Sequence, residues 1–364
     1  MSSGPQRSSR PVTRIATVHD VAAAARVSVA TVSRVLNGNE KVDPERQRRV
    51  LSAIEELGYR RDGVARNLRR GSTKVWGLVI SDIENPFFTS LVRGVQDQAD
   101  EEGYSIILLN SDEDLDKEGR CLALMVEERV AGAILSPVSE TKSVMDLLIS
   151  TGTPTVMVDR RIRGLAVDTV IVDNVLGAYD GTMHLLGAGH RRVACISGPA
   201  ESTTGSNRVT GYLRALEKTA LAAEPELIRT TDFKRGGGYR ATLDLFRQDP
   251  RPDALIVMNN LMTEGALHAL RELGLRVPRD VALVGFDDLS WATLVEPQLT
   301  TIAQPVRELG RAAAELLGRR CRGDSFGFPA EVMLAPSLQI RESSVSKQPF
   351  SGDSAADSRS PRTR

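Results

Sequence analysis

Groups able to hold a small polar molecule recur along residues 75–305 at the ends of apolar runs. Ser81 closes the run from Val75, and Asn85-Pro86-Phe87-Phe88 follow it. Ser136 ends the run from Ala131, Asp159-Arg160 the run from Pro154, Asn259 the run from Ala254, and Phe286-Asp287 the run from Val281. Arg208 follows Thr203-Thr204-Gly205-Ser206-Asn207 at the start of an expected helix, and Phe233 and Gln304 stand in connections. Carboxylates, amides and guanidiniums give charged, planar, bidentate partners that discriminate neighbouring hydroxyls. Phenyl faces cover the apolar C–H side of a furanose or pyranose ring. Taken together, these groups suit the capture of a sugar. Each has a plainer reading as well: Asp159 and Arg160 as a surface ion pair, and the phenylalanines as core.

The elements that must position these groups alternate between strand and helix. Strands are expected at 75–81, 104–110, 131–136 and 154–158, with helices at 86–103 and 117–129 and another ending at Ser150. A second set is expected to begin with a strand near 167–172. Its further strands fall at 193–196, 227–230, 254–258 and 281–284, and its helices at 209–220, 238–247 and 262–273. Continuous apolar strands between amphipathic helices predict parallel sheets covered on both faces. Two such α/β sheets in series place ligands at the carboxyl ends of their strands, in the cleft between them. Gly236-Gly237-Gly238 follows a loop rather than a strand, so it reads as a helix start and not as a phosphate loop.

Ahead of this body, residues 17–38 divide into two short helical segments. Thr17 can cap the first, with Asp20 at the capping-box position, and Val18, Val21, Ala22 and Ala25 share one face. Arg26-Val27 breaks the pattern and Ser28 can cap the second segment. There Val32, Val35 and Leu36 point inward, leaving Val29, Ala30, Thr31, Ser33 and Arg34 nearer the open side. Asp43-Pro44-Glu45 opens a third helix with an N-cap, a first-turn proline and an acid. Its expected apolar face is Val50, Leu51, Ile54 and Leu57, and Gly58 stops it. Two short helices, a tight turn and a closing third helix describe either a helix-turn-helix or an ordinary helical hairpin with a third helix.

The stretch VHDVAAAARVSVATVSRVLNGNEKVDPERQRRVLSAIEELGY, residues 18–59, resembles the DNA-binding headpiece of the lac repressor/galactose repressor family of bacterial transcription regulators. The resemblance continues to residue 343, and the body is also similar to the periplasmic ribose-binding proteins. It implies a homodimer on a palindromic double-stranded operator, with Thr17, Ser28, Thr31, Ser33, Arg34 and Asn37 on phosphates and base edges, and Val29 and Ala30 setting specificity. It implies a hinge at 61–73 in which Leu68 wedges into the minor groove and Arg66, Arg69 and Arg70 face phosphates. Arg61-Asp62-Gly63 departs from the usual hinge, and Gly63 costs up to about 1 kcal/mol of helix propensity. In the body it implies that the Asn-Pro-Phe-Phe motif puts an amide and two rings at the cleft lip. Asp159-Arg160 then grip hydroxyls, Phe233 stacks on the ligand, and Ser136 stands where the ribose-binding pattern has an amide. Trp291 is expected to add a ring to the rim.

Charge and composition agree with a nucleic-acid partner at the front. The chain of 364 residues has no net charge, yet residues 1–74 hold 15 Lys+Arg against 7 Asp+Glu. The net of +8 there is matched by −8 over the rest, from 32 against 40. A basic front and an acidic body confine any polyanion to the front. Cys121, Cys195 and Cys321 are odd in number and far apart, and the four histidines form no ligand pair. No metal or cofactor is expected, and without a Ser-His-Asp grouping or phosphate loop no catalysis is expected either. No apolar run approaches the roughly 20 residues of a membrane span, and the start has no apolar signal region. The expected partition is a basic arm at 1–14, headpiece at 15–60, hinge at 61–73, body at 74–342 and Ser-rich tail at 343–364. The function implied is a cytoplasmic, nucleoid-associated, sugar-responsive repressor. Its rival is a sugar-binding protein that serves transport and binds no DNA.

Overall fold

The computed structural model describes residues 16–36, 42–59 and 73–345. The chain separates into two compact units, Met1–Ser72 and Thr73–Arg364. In the first, α1 (Val18–Ala24), α2 (Val29–Leu36) and α3 (Pro44–Glu56) surround Val21, Ala22, Ala25, Val32, Val35, Val50 and Ala53. The caps read from sequence form. Thr17 Oγ1 accepts from the Asp20 amide, Asp20 Oδ2 accepts from the Thr17 amide at 2.8 Å, and Asp43 accepts from Glu45 and Arg46. Arg26 takes φ 52° in the turn between α1 and α2. Leu51 and Leu57 differ from expectation. They are 51% and 41% exposed, because helical spacing admits more positions than α3 has contact face, and Val50 and Ala53 take the core.

The second unit is built on two six-stranded sheets. The first runs in the order β11 (Glu331–Leu334), β5 (Asp168–Val172), β4 (Thr155–Val158), β3 (Gly132–Leu135), β1 (Val75–Ile80), β2 (Ser105–Asn110), all parallel. The second runs β12 (Ser337–Gln339), β10 (Thr300–Ala303), β9 (Ala282–Phe286), β8 (Ala254–Val257), β6 (Val193–Ser197), β7 (Ile228–Thr230), parallel except for antiparallel β12. β1, β3, β4, β8 and β9 carry continuous apolar runs because both faces are covered. β5 was expected to open the second set, but it pairs with β4 and β11 in the first sheet. The second subdomain begins instead with α7 (Asn174–Gly187), which the periodicity did not mark.

On the first sheet lie α4 (Pro86–Glu101), α5 (Leu115–Glu127), α6 (Asp146–Ser150) and, returning from the second subdomain, α11 (Val306–Cys321). The second sheet carries α7, α8 (Thr203–Lys218), α9 (Arg235–Phe246) and α10 (Asn260–Glu272). The chain thus passes between subdomains after β5, after β10 and between β11 and β12. In the first sheet the order reverses between β1 and β3, and in the second between β6 and β8, so both sheets aim a crevice at the same seam. Ser343 and Ser344, assigned to the tail, belong to the body. Both are buried, Ser343 Oγ donates to Leu283 O at 2.7 Å, and Ser344 Oγ lies 2.7 Å from His184 Nε2.

Candidate functional site

The open face of the headpiece presents exposed Thr17, Ser28, Ala30 and Arg34, with Val29, Thr31 and Ser33 half-buried. Ser28 Oγ accepts from the Thr31 amide at 3.2 Å and lies 3.0 Å from Thr31 Oγ1, so these hydroxyls fix the start of α2. Val29 also packs on the headpiece core. Asn37, Leu68 and the hinge arginines lie outside the described residues.

The cleft of the body is assembled from strand ends. Asn85 caps α4, its Oδ1 accepting from the Phe87 amide at 2.9 Å, and Phe87 and Phe88 meet edge to face at 5.1 Å. Asn259 caps α10 through Met262 N and donates from Nδ2 to Phe233 O at 3.0 Å. Asp159, Phe233 and Asp287 hold φ of 67°, 60° and 72°, a left-handed backbone that non-glycine residues rarely adopt. Strain of this kind persists where the surroundings over-determine it, and at ligand clamps above all. A Cβ on Gly198 would stand 2.0 Å from the Phe233 ring, so only glycine lets that ring lie where it does.

The electrostatics are set by burial. Asp159, Arg160, Arg208 and Asp287 are each under a tenth exposed, which removes the surface ion-pair reading. Burial pushes the Asp159 carboxyl up to about 6 against the pull of Arg160 and Arg208. Burial raises Asp287 too, opposed by Arg208 and by the Gln304 amide, which donates to Asp287 Oδ1 at 2.5 Å. It disfavours the charge of Arg208, whose Nε donates to Asn174 Oδ1 at 2.6 Å and whose guanidinium lies 3.7 Å over the Phe286 ring. Burial works against Arg160 as well, but the carboxylates of Glu113 and Asp159 outweigh it and the net shift is upward. Two buried polar atoms at the cleft have no hydrogen-bond partner: Gln304 Oε1, an acceptor, and Arg160 Nε, a donor 3.5 Å from Asp159 Oδ2. A hydroxyl, donor and acceptor at once, satisfies either.

Asn85, Phe87, Phe88, Asp159, Arg160, Arg208, Phe233, Asn259, Asp287 and Gln304 line one cleft. Four expected residues do not join them. Ser81 and Ser136 lie beneath, with their hydroxyls 3.2 Å apart. Phe286 is wholly buried under Arg208, and so is core. Trp291 lines a separate surface groove with Leu267, Leu275 and Leu299, because the short helix after Asp287 turns it away. Asp82, Glu113 and Thr204 line the cleft without having been anticipated. Asp82 follows a strand end directly, a signal the pattern offered. Glu113 depends on the turn at Asp112 and Glu113, φ 54° and 57°, which no local pattern announces.

The two subdomains are closed on each other. Asn260 Nδ2 donates to Asn85 Oδ1 at 2.7 Å, Lys234 Nζ to Asp82 at 2.7 Å, and Lys142 Nζ to Glu201 at 2.8 Å. About 30 Å³ of free space remains between the strand ends, room for about one water. Among the described residues no three His, Cys, Asp or Glu side chains are placed to hold a metal ion, and no helix is long and apolar enough to cross a membrane.

Residues 17–62 match the family of bacterial regulatory proteins, lacI family, and residues 182–344 match a periplasmic binding protein-like domain. Catabolite control protein A of Priestia megaterium is 35% identical over 328 residues, 90% of this chain and 98% of that one. Two solved structures are similar over about nine-tenths of the chain. The transcriptional regulator CelR–cellobiose complex has a TM-score of 0.70 and 32% identity, covering 90% of this chain and 99% of that chain. The lac repressor dimer bound to operator and the anti-inducer ONPF has a TM-score of 0.81 and 26% identity, covering 92% and 100%. With headpiece, body and near-complete coverage in agreement, the chain belongs to the lacI family of bacterial regulatory proteins, which are transcription regulators and not enzymes.

Proposed function

We propose that this regulator is a homodimeric repressor that grips a palindromic operator and is controlled by a sugar in the cleft of its body. The observation that carries the reading is the convergence of Asp159, Arg160, Arg208, Asn259, Asp287 and Gln304 with the Phe87, Phe88 and Phe233 rings on one closed seam. Polar groups at strand ends with aromatic faces between them suit a polyhydroxylated ring. The similar regulator solved with cellobiose and the similar dimer solved on operator support both halves of the proposal. The groove beside Trp291 and the 81% exposed Leu294 support a second copy of the chain as partner. In the headpiece, Thr17, Ser28, Thr31, Ser33, Arg34 and Asn37 would meet phosphates and bases, Val29 and Ala30 would tune sequence preference, and Leu68 would wedge the minor groove. Such a protein works in the cytoplasm, at the nucleoid. The transport reading leaves the headpiece without a role.

Ligand closure would change operator affinity by a coupling of typically 1–3 kcal/mol. The test uses Asp287→Asn, which tolerates the left-handed backbone and replaces a charged acceptor by an amide. A hydrogen bond to a charged group contributes about 1.5–3 kcal/mol, so the dissociation constant of a sugar found by thermal-shift screening should rise at least about tenfold. Operator affinity without sugar should stay as it was. Calorimetry and an operator titration measure the two, and unchanged sugar affinity would mean that the site lies elsewhere.

A further inference from the structure

We infer that Glu113 makes the cleft select neutral sugars over phosphorylated or carboxylated ones, by occupying the guanidinium fork that an anionic ligand needs. The inference rests on the sugar reading above and deepens it. Arg160 Nη1 and Nη2 donate to Glu113 Oε2 and Oε1, each at 2.7 Å. This two-point pairing is the geometry in which arginine recognises a carboxylate or phosphate. Arg160 is buried at the cleft wall, so an incoming anion meets a cation whose fork is already filled from within the protein.

The placement is built in. Asp112 and Glu113 both take left-handed backbone, the Glu113 amide donates to Ser81 O at 3.0 Å, and Asp114 immediately caps α5. The Glu113 side chain is 19% exposed, against 5% for Arg160. Glu113 and Arg160 belong to the same subdomain, so their pair does not serve to shut the cleft.

The remaining charges point the same way. Arg208 offers no empty fork, since its Nε and Nη1 donate to Asn174 Oδ1 and Met258 O, and Lys234 sits on Asp82. Four lining carboxyl groups outnumber the two lining guanidiniums and the ammonium of Lys234 that meets one of them. In a buried site the repulsion of a further anion is little screened. Hydroxyls meet no such barrier: they donate to the carboxylates and to Gln304 Oε1, and accept from Arg160 Nε.

The test compares the full-length protein with Glu113→Gln and with Glu113→Asn, a residue that tolerates positive φ. Calorimetry at one pH and salt concentration measures ribose with ribose 5-phosphate, and glucose with glucose 6-phosphate and gluconate. The wild type should bind at least one neutral sugar and bind its anionic counterpart at least tenfold more weakly. Both variants should narrow that gap at least tenfold by gaining affinity for the anion, whatever change the neutral sugar shows. A purely structural ion pair would lower the melting temperature and leave the gap unchanged, which overturns the inference. An anion that binds the wild type as tightly as its neutral parent overturns it as well. If no sugar of either kind binds the wild type, the sugar reading itself fails and takes this inference with it.

Discussion

Asp159 shows how a single buried group records the design of the cleft. Its carboxyl is pushed from an ordinary 3.8 to about 6 because burial penalises the charged form more than Arg160 and Arg208 favour it. A raised folded-state value means a contribution to stability fully present below the unfolded value and lost as pH rises through about 6. Charging Asp159 in the folded protein therefore costs up to roughly 3 kcal/mol. Asp159→Asn removes the titration. The variant should therefore melt above the wild type at pH 7.5, and the difference should shrink steadily as the pH falls through 6. A difference that does not vary between pH 5 and 7.5 would assign Asp159 an ordinary ionisation. At this scale the sequence disclosed the residue types well, since Asp, Arg, Asn and Phe at strand ends are visible as letters. It could not disclose the left-handed backbone at Asp159, Phe233 and Asp287, nor the pairing of Arg160 with Glu113 across 47 positions. Those depend on contacts between distant parts of the chain.

At the scale of elements, what is local in cause was legible. The Thr17 and Asp43 caps act within three residues, and the continuous apolar strands follow from two covered faces. Assignment of strands to sheets was less legible, because pairing is settled by the crossovers. β5 looks the same as a last strand or as a first, and β11 alternates weakly because it lies at an edge. The return of α11 to the first subdomain is fixed by a close helix crossing at glycine. A Cβ on Gly94 of α4 would stand 2.1 Å from Arg307 O, and one on Gly310 of α11 would stand 2.2 Å from Leu91 O. Backbone cannot yield as a flexible side chain can, so Gly310→Ala must part the helices and should cost about 1–3 kcal/mol, as overpacking does. Gly119, exposed on α5 with nothing within 4 Å of its would-be Cβ, is the control. Gly119→Ala should stabilise by up to about 1 kcal/mol through helix propensity. Urea unfolding of the three proteins reads both, and two changes of the same sign would refute the crossing argument.

For the molecule as a whole, the distribution of charge separates the two tasks. Residues 1–74 carry +8 and the rest −8, although the total is zero. DNA is a dense polyanion, so the front attracts it and the body repels it at every distance shorter than the screening length of about 10 Å in 0.1 M salt. Affinity should then fall linearly in log–log form with salt, with a slope near −0.9 for each phosphate neutralised. Because the body forms its own compact unit from Thr73 onward, with its own cores, deletion of residues 1–72 should leave folding and sugar binding intact while abolishing retardation of DNA. The duplex to use is one recovered by selection from random sequence with the full chain, titrated at several salt concentrations beside an unselected duplex. Full-length protein should prefer the selected duplex and lose affinity steeply with salt. The truncated body should bind neither duplex even at the lowest salt, where a residual basic surface would reveal itself most readily. A body that still retards the selected duplex would move the DNA contact away from α2 and onto a face where the net charge opposes it.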